Sequence, residues 1–407
     1  MQLSDLDFVV IAAIAVIAPL LVRGLSGRLR IPIVVFELVL GILAGPSVLG
    51  WIQEGPISER LADFGLALLF FMAGNEIDFR VLRGRDGARA AGGWLIGLIV
   101  GIAVGLVIAP GEAAVVIGIA LCSTALGMLL PILRDAGMLP TPFGRAVMGI
   151  GAVGEFGPLV AISLFLGGRN FGTASIVLFL FVIVAATCVY LASRMPHGRL
   201  HRIVTATLHT SGQFAVRTIV LILALLVALS LLLDLDMLLG AFVAGVIWQL
   251  IMRNAPEGDR AQVESKVEAV AFGLLVPIFF IYTGVTFDLD ALLEGGSTVV
   301  LVPVFLVLLL LIRGGPSMLS APRGSRARDR LALAFFGATG LPVIVAVTSI
   351  GTAEKLLSPG LAAALVGAGM LSVLLFPLIG TTLRRAPGLN RGVLDEEGGG
   401  SVGGALT

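Results

Sequence analysis

Long apolar runs separated by short polar segments set the layout of this chain. About thirteen of the runs have the roughly 17 to 25 residues that a membrane-spanning helix needs. The polar segments between them are too short to hold a soluble domain. The pattern predicts an all-α polytopic membrane protein, with one membrane domain over residues 1–385 and a disordered Gly-rich tail over 386–407. The thirteen runs are centred near Ile14, Leu40, Leu69, Val100, Ser123, Val153, Phe181, Leu225, Ala244, Leu274, Phe305, Pro342 and Met370.

Composition agrees with this fold class and narrows the function. The chain is 57% hydrophobic and only 13% charged, with a net charge of +1. It therefore has no global field that would attract nucleic acid. The two cysteines cannot form a disulfide framework, and the spans contain neither a Ser-His-Asp arrangement nor a metal-ligand cluster. We expect no enzyme activity, no cofactor and no bound metal beyond any transported ion.

The basic residues predict the orientation. Most of the 27 lysines and arginines lie in segments that follow odd-numbered spans, whereas the segments after even-numbered spans contain only Arg60, Arg169 and Lys355. Cytoplasmic loops are the ones enriched in Lys and Arg. This asymmetry predicts a plasma-membrane protein with its N-terminus outside, its C-terminus in the cytoplasm and an odd number of spans.

The sixth span carries one carboxylate, Glu155, near its middle. A charged side chain at that depth costs at least a few kcal/mol, so it is expected to face a water-filled cavity or a partner. The alternative is a protonated Glu that only hydrogen-bonds to its neighbours. The adjacent Gly154, together with Pro158, leaves room for close packing or for a local break in the helix.

Arg313, late in the eleventh span, is the basic residue that best matches Glu155. From its position alone it either extends to the cytoplasmic interface or remains at depth as a charge partner. Because Glu155 needs a cation or a proton, we favour the second interpretation.

The fifth and twelfth spans contain residues typical of interrupted helices. Hydroxyl groups and glycines stand in mid-span, and a proline removes a backbone donor. Two broken helices that meet in the membrane present dipole ends, carbonyls and hydroxyls to an ion. The alternative is a simple proline kink without a ligand role. The candidate ion ligands are Ser123, Thr124 and Thr339, and the candidate helix-break residues are Gly127, Gly154, Gly337, Gly340 and Pro342.

Two sequence segments recur seven spans apart. Phe-Phe-Met-Ala-Gly-Asn-Glu-Ile-Asp (70–78) in the third span resembles Phe-Phe-Ile-Tyr-Thr-Gly-Val-Thr-Phe-Asp (279–288) in the tenth. The Gly-rich segments 40–45 and 239–245 of the second and ninth spans repeat at the same offset. Since seven is odd, the partners cross the membrane in opposite directions, which predicts inverted repeats.

Three further acids lie near or within apolar runs. Glu37 in the second span either lines an access funnel or hydrogen-bonds at a helix crossing. Glu76 and Asp78, beside Arg80, are interpreted as a charge cluster at the membrane interface.

Taken in order, six segments resemble the monovalent cation:proton antiporters, in particular the Kef-type and NapA-like sodium/hydrogen exchanger branch. They are IPIVVFELVLGILAGPSVLG, LLFFMAGNEIDF, ALCSTALGMLL, LLGAFVAGVI, PIFFIYTGVTFDLD and LLIRGGP. The resemblance implies an NhaA-like antiporter fold of about thirteen helices with two crossed discontinuous helices, usually in a homodimer. It also implies a core that moves against a dimerisation panel in an alternating-access cycle, with Glu155 as the ion-binding carboxylate and Arg313 as the basic residue near it. The usual tandem pair, Asp-Asp, Asn-Asp or Gln-Asp, is replaced here by Gly154-Glu155.

We therefore expect a secondary transporter that exchanges a monovalent cation, Na⁺ or K⁺, for H⁺. A single carboxylate shared in turn by the cation and the proton predicts one-for-one, electroneutral exchange. Two alternatives remain open: an organic-anion carrier of related fold that uses Arg313, and a membrane sensor that transports nothing.

Overall fold

The computed structural model describes residues 3–25, 32–77, 84–166, 171–194, 213–253, 255–294 and 298–384. All regular elements in these residues are helical. One of them is a short helix, Leu289–Glu294. In chain order the long elements are α1 (Leu3–Leu25), α2 (Ile33–Ala44), α3 (Pro56–Asn75), α4 (Arg85–Ile108), α5a (Glu112–Leu121), α5b (Leu126–Asp135), α6 (Pro142–Phe165), α7 (Phe171–Arg194), α8 (Phe214–Leu232), α9 (Met237–Met252), α10 (Glu257–Val285), α11 (Thr298–Ser320), α12a (Ala327–Gly337), α12b (Pro342–Ala353) and α13 (Pro359–Arg384).

Length and composition make these helices membrane spans. In the described part of the chain, nine helical segments are long and apolar enough to cross a membrane, and three shorter apolar helices accompany them. The protein is a polytopic membrane protein. Each of the thirteen predicted centres falls in a helix or at a helix break, while the exact number of spans stays a prediction.

The helices pack mainly in two groups. The crossing bundle consists of α4, α5a, α5b, α6, α11, α12a, α12b and α13, and the panel consists of α1, α2, α3, α8, α9 and α10. Helix α7 packs against α6 of the crossing bundle and against α9 of the panel. The polar residues singled out in the fifth, sixth, eleventh and twelfth spans therefore belong to one body.

The helix pairs α2–α10 and α3–α9 show the inverted repeat. A shift of seven spans converts α2 into α9 and α3 into α10, so these two contacts are equivalent. In both, glycines let the backbones touch: a Cβ on Gly41 would lie 3.0 Å from the Cα of Gly284, and a Cβ on Gly245 would lie 2.8 Å from the Asn75 nitrogen. The repeated sequence segments thus supply the same contact twice, as the inverted repeat predicts.

Several sequence-based expectations fall outside the described residues. These are the tail at 386–407, the partners Asp78 and Arg80 of the expected interfacial cluster, and the basic residues of segments 26–31 and 195–212. The predicted orientation consequently rests on the charge pattern.

Candidate cation and proton site

Helices α5 and α12 are both interrupted, and their breaks lie against each other. The α5 break covers residues 122–125, and the α12 break covers 338–341. The Ala125 N–H donates to the Thr339 carbonyl at 2.8 Å across the two breaks. Pro342 occupies the first turn of α12b, where its missing N–H removes no helical hydrogen bond. The predicted crossing of two discontinuous helices is confirmed.

Glu155 projects from α6 to the beginning of α5b. Its side chain is only 5% exposed. One oxygen, Oε1, accepts hydrogen bonds from the backbone N–H groups of Leu126 (2.7 Å) and Gly127 (3.3 Å). These donors would otherwise be unpaired at the helix N-terminus, whose dipole also favours a negative charge. The second oxygen, Oε2, is buried and has no hydrogen-bond partner in the part of the chain that the structure describes. Half of the carboxylate is therefore fixed, and half is free to bind a proton or an ion.

Arg313 reaches the same crossing but does not pair with Glu155. It comes from a π-helical turn of α11 and is 1% exposed. Its Nε donates to the Thr124 hydroxyl at 2.7 Å, and an Nη donates to the Ile150 carbonyl at 2.6 Å. Among the described side chains, no salt bridge joins Arg313 to Glu155. Arg313 thus remains at depth, the interpretation that we favoured from the sequence, but it forms no direct ion pair with Glu155 in this structure.

The three candidate hydroxyl ligands are all buried at the crossing. Ser123 donates to the Ala120 carbonyl (2.8 Å), and Thr339 donates to the Phe335 carbonyl (3.0 Å) within their own helices. Thr124 instead donates across the crossing to the carbonyl of Gly337 at 2.6 Å. Since their protons are committed, the Ser123 and Thr339 hydroxyls present lone pairs, which suit a cation rather than an anion. The Thr124 oxygen already accepts from Arg313.

Gly154 is not a helix-break residue. Helix α6 continues through it and through Pro158 as one helix. A Cβ on Gly154 would lie 2.5 Å from an Arg313 Nη and 2.5 Å from the Thr124 Oγ1. The glycine is therefore required for space. The remaining break residues lie where expected: Gly127 in the first turn of α5b, Gly337 at the end of α12a and Gly340 within the break.

Glu37 is buried at 2% exposure in α2 of the panel. Helix α2 packs on α10 and α1. The structure does not bring Glu37 into the crossing, and the alternative of a structural carboxyl group at a helix contact fits its place better than the funnel.

The sequence interpretation assigned Glu76 to an interfacial charge cluster and did not place it at the site. This residue is the C-cap of α3, and its Oε2 is buried without a hydrogen-bond partner among the described residues. The atom lies 3.8 Å from the position that a Cβ on Gly127 would take, and Gly127 donates to Glu155. The sequence did contain one indication of this position. The segment that includes Glu76 recurs in the tenth span, and a carboxylate within a repeated segment is a candidate ligand.

A cavity of about 560 Å³ separates the panel from the crossing bundle on the side predicted to be extracellular. It lies between α3 and α10 on one side and α12b and α13 on the other. Its acidic lining residues are Glu54, Glu59, Asp63 and Asp288. Glu155 is not among the residues that line it.

The family assignment follows from comparison with known proteins. Residues 12–385 match the family model described as "Sodium/hydrogen exchanger, transmembrane". The chain belongs to this family. The match spans both helix groups and all of the site residues, and it confirms the resemblance drawn from the six sequence segments.

Individual relatives agree with the family assignment. The Na(+)/H(+)-K(+) antiporter GerN of Bacillus cereus is 30% identical over 295 residues, which cover 70% of this chain and 73% of GerN. The putative Na(+)/H(+) antiporter YjbQ of Bacillus subtilis (strain 168) is 24% identical over 395 residues. That alignment covers 92% of this chain but 62% of YjbQ, so the chain spans less than two thirds of that relative.

A solved structure has the same fold. The sodium proton antiporter MjNhaP1 from Methanocaldococcus jannaschii superposes with a TM-score of 0.65, covering 94% of this chain and 99% of that one, at 14% sequence identity. At this identity the likeness establishes the NhaP-type antiporter fold alone.

Proposed function

We propose that this exchanger-family member is a secondary transporter that exchanges a monovalent cation, Na⁺ or K⁺, for H⁺, with Glu155 as the shared carboxylate. The observation that carries the proposal is that the two oxygens of this carboxylate differ in their hydrogen bonding. Oε1 is held by two backbone donors, whereas Oε2 is buried without a partner. A buried acceptor in this state costs about 1–3 kcal/mol, which a proton or a cation would recover.

Competition for Oε2 couples the two fluxes. A protonated Glu155 cannot bind the cation, and a cation-bound Glu155 cannot hold the proton. Each reorientation then carries one or the other. With one titrating group in the exchange, the cycle moves one positive charge in each direction and is electroneutral.

Glu76 completes the cation site in this proposal. Its unpartnered Oε2 beside Gly127 supplies a second anionic oxygen, in a chain whose tandem acid pair is reduced to Glu155. The Ser123 and Thr339 hydroxyls and the carbonyls at the breaks add neutral oxygens, the ligand type that hard cations prefer. Glu76 lies on the panel and Glu155 on the crossing bundle, so the site spans the two bodies.

Access alternates by movement of the crossing bundle against the panel. The cavity between α3, α10, α12b and α13 is the extracellular approach, and its four carboxylates attract cations. The protein works in the plasma membrane, with the N-terminus outside, the C-terminus in the cytoplasm and the panel as the surface of a homodimer.

The test is proton flux in proteoliposomes that contain a trapped pH dye. Na⁺, K⁺ and Li⁺ are added in turn to wild type, to Glu155→Gln and to the control Glu112→Gln, which makes the same change at an exposed position of α5a. We expect one or more cations to drive proton efflux in wild type and in the control, and no flux in Glu155→Gln. For Na⁺, a potassium–valinomycin clamp should leave the rate unchanged if exchange is electroneutral.

Two outcomes contradict the proposal. Flux that persists in folded Glu155→Gln removes this carboxylate from the mechanism and favours the organic-anion carrier. Absence of flux in folded wild type with every cation favours a sensor.

A further inference from the structure

Arg313 is a buried cation without a carboxylate partner among the described residues. Its guanidinium is held by the Thr124 hydroxyl and the Ile150 carbonyl. Thr124 connects Arg313 to α12a, because its hydroxyl accepts from Arg313 and donates to the carbonyl of Gly337, the last residue of that helix. The positive charge thus lies at the negative end of one broken helix, while Glu155 lies at the positive end of another.

The guanidinium occupies the space that Gly154 leaves empty. A Cβ at position 154 would lie 2.5 Å from an Arg313 Nη and 2.6 Å from the Thr124 Cβ. Any side chain at this position would displace Arg313 or Thr124. Arg313 and Gly154 are therefore matched to each other.

The same contacts determine where the Glu155 donors point. Arg313 fixes Thr124, and the Thr124 N–H donates to the Gly154 carbonyl at 3.0 Å. Two and three residues later, Leu126 and Gly127 donate to Glu155. A shift of Thr124 would move both donors with the unwound segment.

We infer that Arg313 is a positioning residue that orients the two backbone donors of Glu155 through Thr124, and that Gly154 is the residue that admits it. The inference rests on the proposed function, in which Glu155 binds the proton and the cation. Arg313 stays protonated throughout and does not alternate with the cation at Glu155.

Besides Glu155, the charged side chains whose contacts place them at the crossing are Glu76 and Arg313, and α6 itself carries Arg145 in its first turn. The helices packed on α6 are α4, α5a, α5b, α7, α9, α12a and α12b, and α9 and α12b carry no charged residue. The charged residues of the other helices lie in their terminal turns: Arg85, Asp86 and Arg89 of α4, Glu112 of α5a, Arg134 and Asp135 of α5b, Arg194 of α7, and Arg328, Asp329 and Arg330 of α12a.

The test measures Glu155 protonation without transport. Dicyclohexylcarbodiimide modifies buried carboxyl groups in their protonated form, and mass spectrometry of the Glu155 peptide gives the extent of modification against pH. The full chain is compared with Arg313→Lys, which keeps the charge but not the two-point contact, and with Thr124→Val, which removes the hydroxyl. The matched controls are Thr124→Ser, which retains the hydroxyl, and Gly315→Ala, a helical glycine two residues from Arg313 with open space around it.

We expect the modification midpoint to move to higher pH by about half a pH unit or more in Arg313→Lys and Thr124→Val, because a carboxylate with misplaced donors binds its proton more readily. Gly154→Ala should behave in the same way, and both controls should retain the wild-type midpoint. In proteoliposomes, the first two variants should also raise the apparent KM for the cation more than they lower kcat.

An unchanged midpoint in folded Arg313→Lys, with a shift only when the charge is removed in Arg313→Gln, would show that Arg313 acts by charge and not by position. An unchanged midpoint in both variants would reduce Arg313 to a packing residue. Neither result depends on flux, so failure of this inference remains distinct from failure of the proposed function.

Discussion

Glu155 and Glu76 each leave one buried carboxylate oxygen without a partner, and both approach Gly127. Two such carboxylates repel each other when both are charged and both are empty. A cation between them satisfies both oxygens, whereas a proton satisfies one. The residue that holds the proton and the residue that only binds the cation should therefore respond differently to the same substitution.

Replacing Glu76 by Gln should raise the apparent KM for the transported cation about tenfold, the effect of losing roughly 1.4 kcal/mol of binding, and should leave exchange and its dependence on pH in place. Glu155→Gln should abolish exchange. The measurement is the cation dependence of proton flux in proteoliposomes. Glu257→Gln, at the exposed beginning of α10, is the control and should resemble wild type.

Loss of all exchange in folded Glu76→Gln at every cation concentration would show that Glu76 is indispensable to the cycle and would contradict a role confined to cation affinity. A wild-type KM in this variant would exclude Glu76 from the cation site.

Single residues also show where the sequence was sufficient and where it was not. Glu155 was identifiable because a lone carboxylate in an apolar span has few structural explanations. The contacts of Arg313 were not, because one of its two acceptors is a backbone carbonyl, that of Ile150, which leaves no mark in the sequence. Gly154 was noticed for its effect on helix stability, yet its role in the structure is the space it leaves for a neighbour.

At the scale of helices, apolar periodicity located the elements but not their ends. The tenth helix begins at Glu257, well before its apolar run, in the charged segment Glu257–Val270. An Arg260–Glu264 salt bridge of 2.7 Å, one turn apart, supports that segment. The breaks of α5 and α12 were predictable because Gly, Pro and hydroxyl residues in mid-span disfavour a continuous helix. The contact between the two breaks could be predicted only once the inverted repeat had been recognised.

Close helix contacts make a prediction about stability. A Cβ on Gly245 of α9 would collide with the Phe71 carbonyl of α3 and lie 2.8 Å from the Asn75 nitrogen. Backbone atoms cannot move aside as a flexible side chain does, so Gly245→Ala should cost about 1–3 kcal/mol. The measurement is the thermal unfolding midpoint in detergent, which should fall by several degrees.

Gly273→Ala in α10 provides the control, because a Cβ there meets nothing within 4 Å. It should be neutral or slightly stabilising, since alanine is the better helix former. Equal midpoints for Gly245→Ala and wild type would mean that α3 and α9 are less closely packed than described here.

At the scale of the whole molecule, the cavity between the panel and the crossing bundle offers a test of the proposed orientation and of the proposed access route. Ser349 lines this cavity from α12b and is exposed in it. If the even-numbered segments are extracellular, a membrane-impermeant maleimide should modify Ser349→Cys in intact cells. Gln53→Cys, on an exposed segment of the same side, should react as the positive control, and Arg323→Cys, between α11 and α12a, should react only after permeabilisation.

Alternating access adds a second requirement to the same experiment. If the crossing bundle moves against the panel, the cavity narrows in the other state. The rate at which Ser349→Cys is modified should therefore depend on the transported cation. The rate for Gln53→Cys should not. The dependence should disappear in Glu155→Gln, because a site that cannot bind the cation cannot shift the two-state equilibrium. Modification of Ser349→Cys only from the cytoplasmic side would reverse the orientation. A rate independent of the cation in wild type, with exchange still present, would mean that the ion reaches Glu155 by a route other than this cavity.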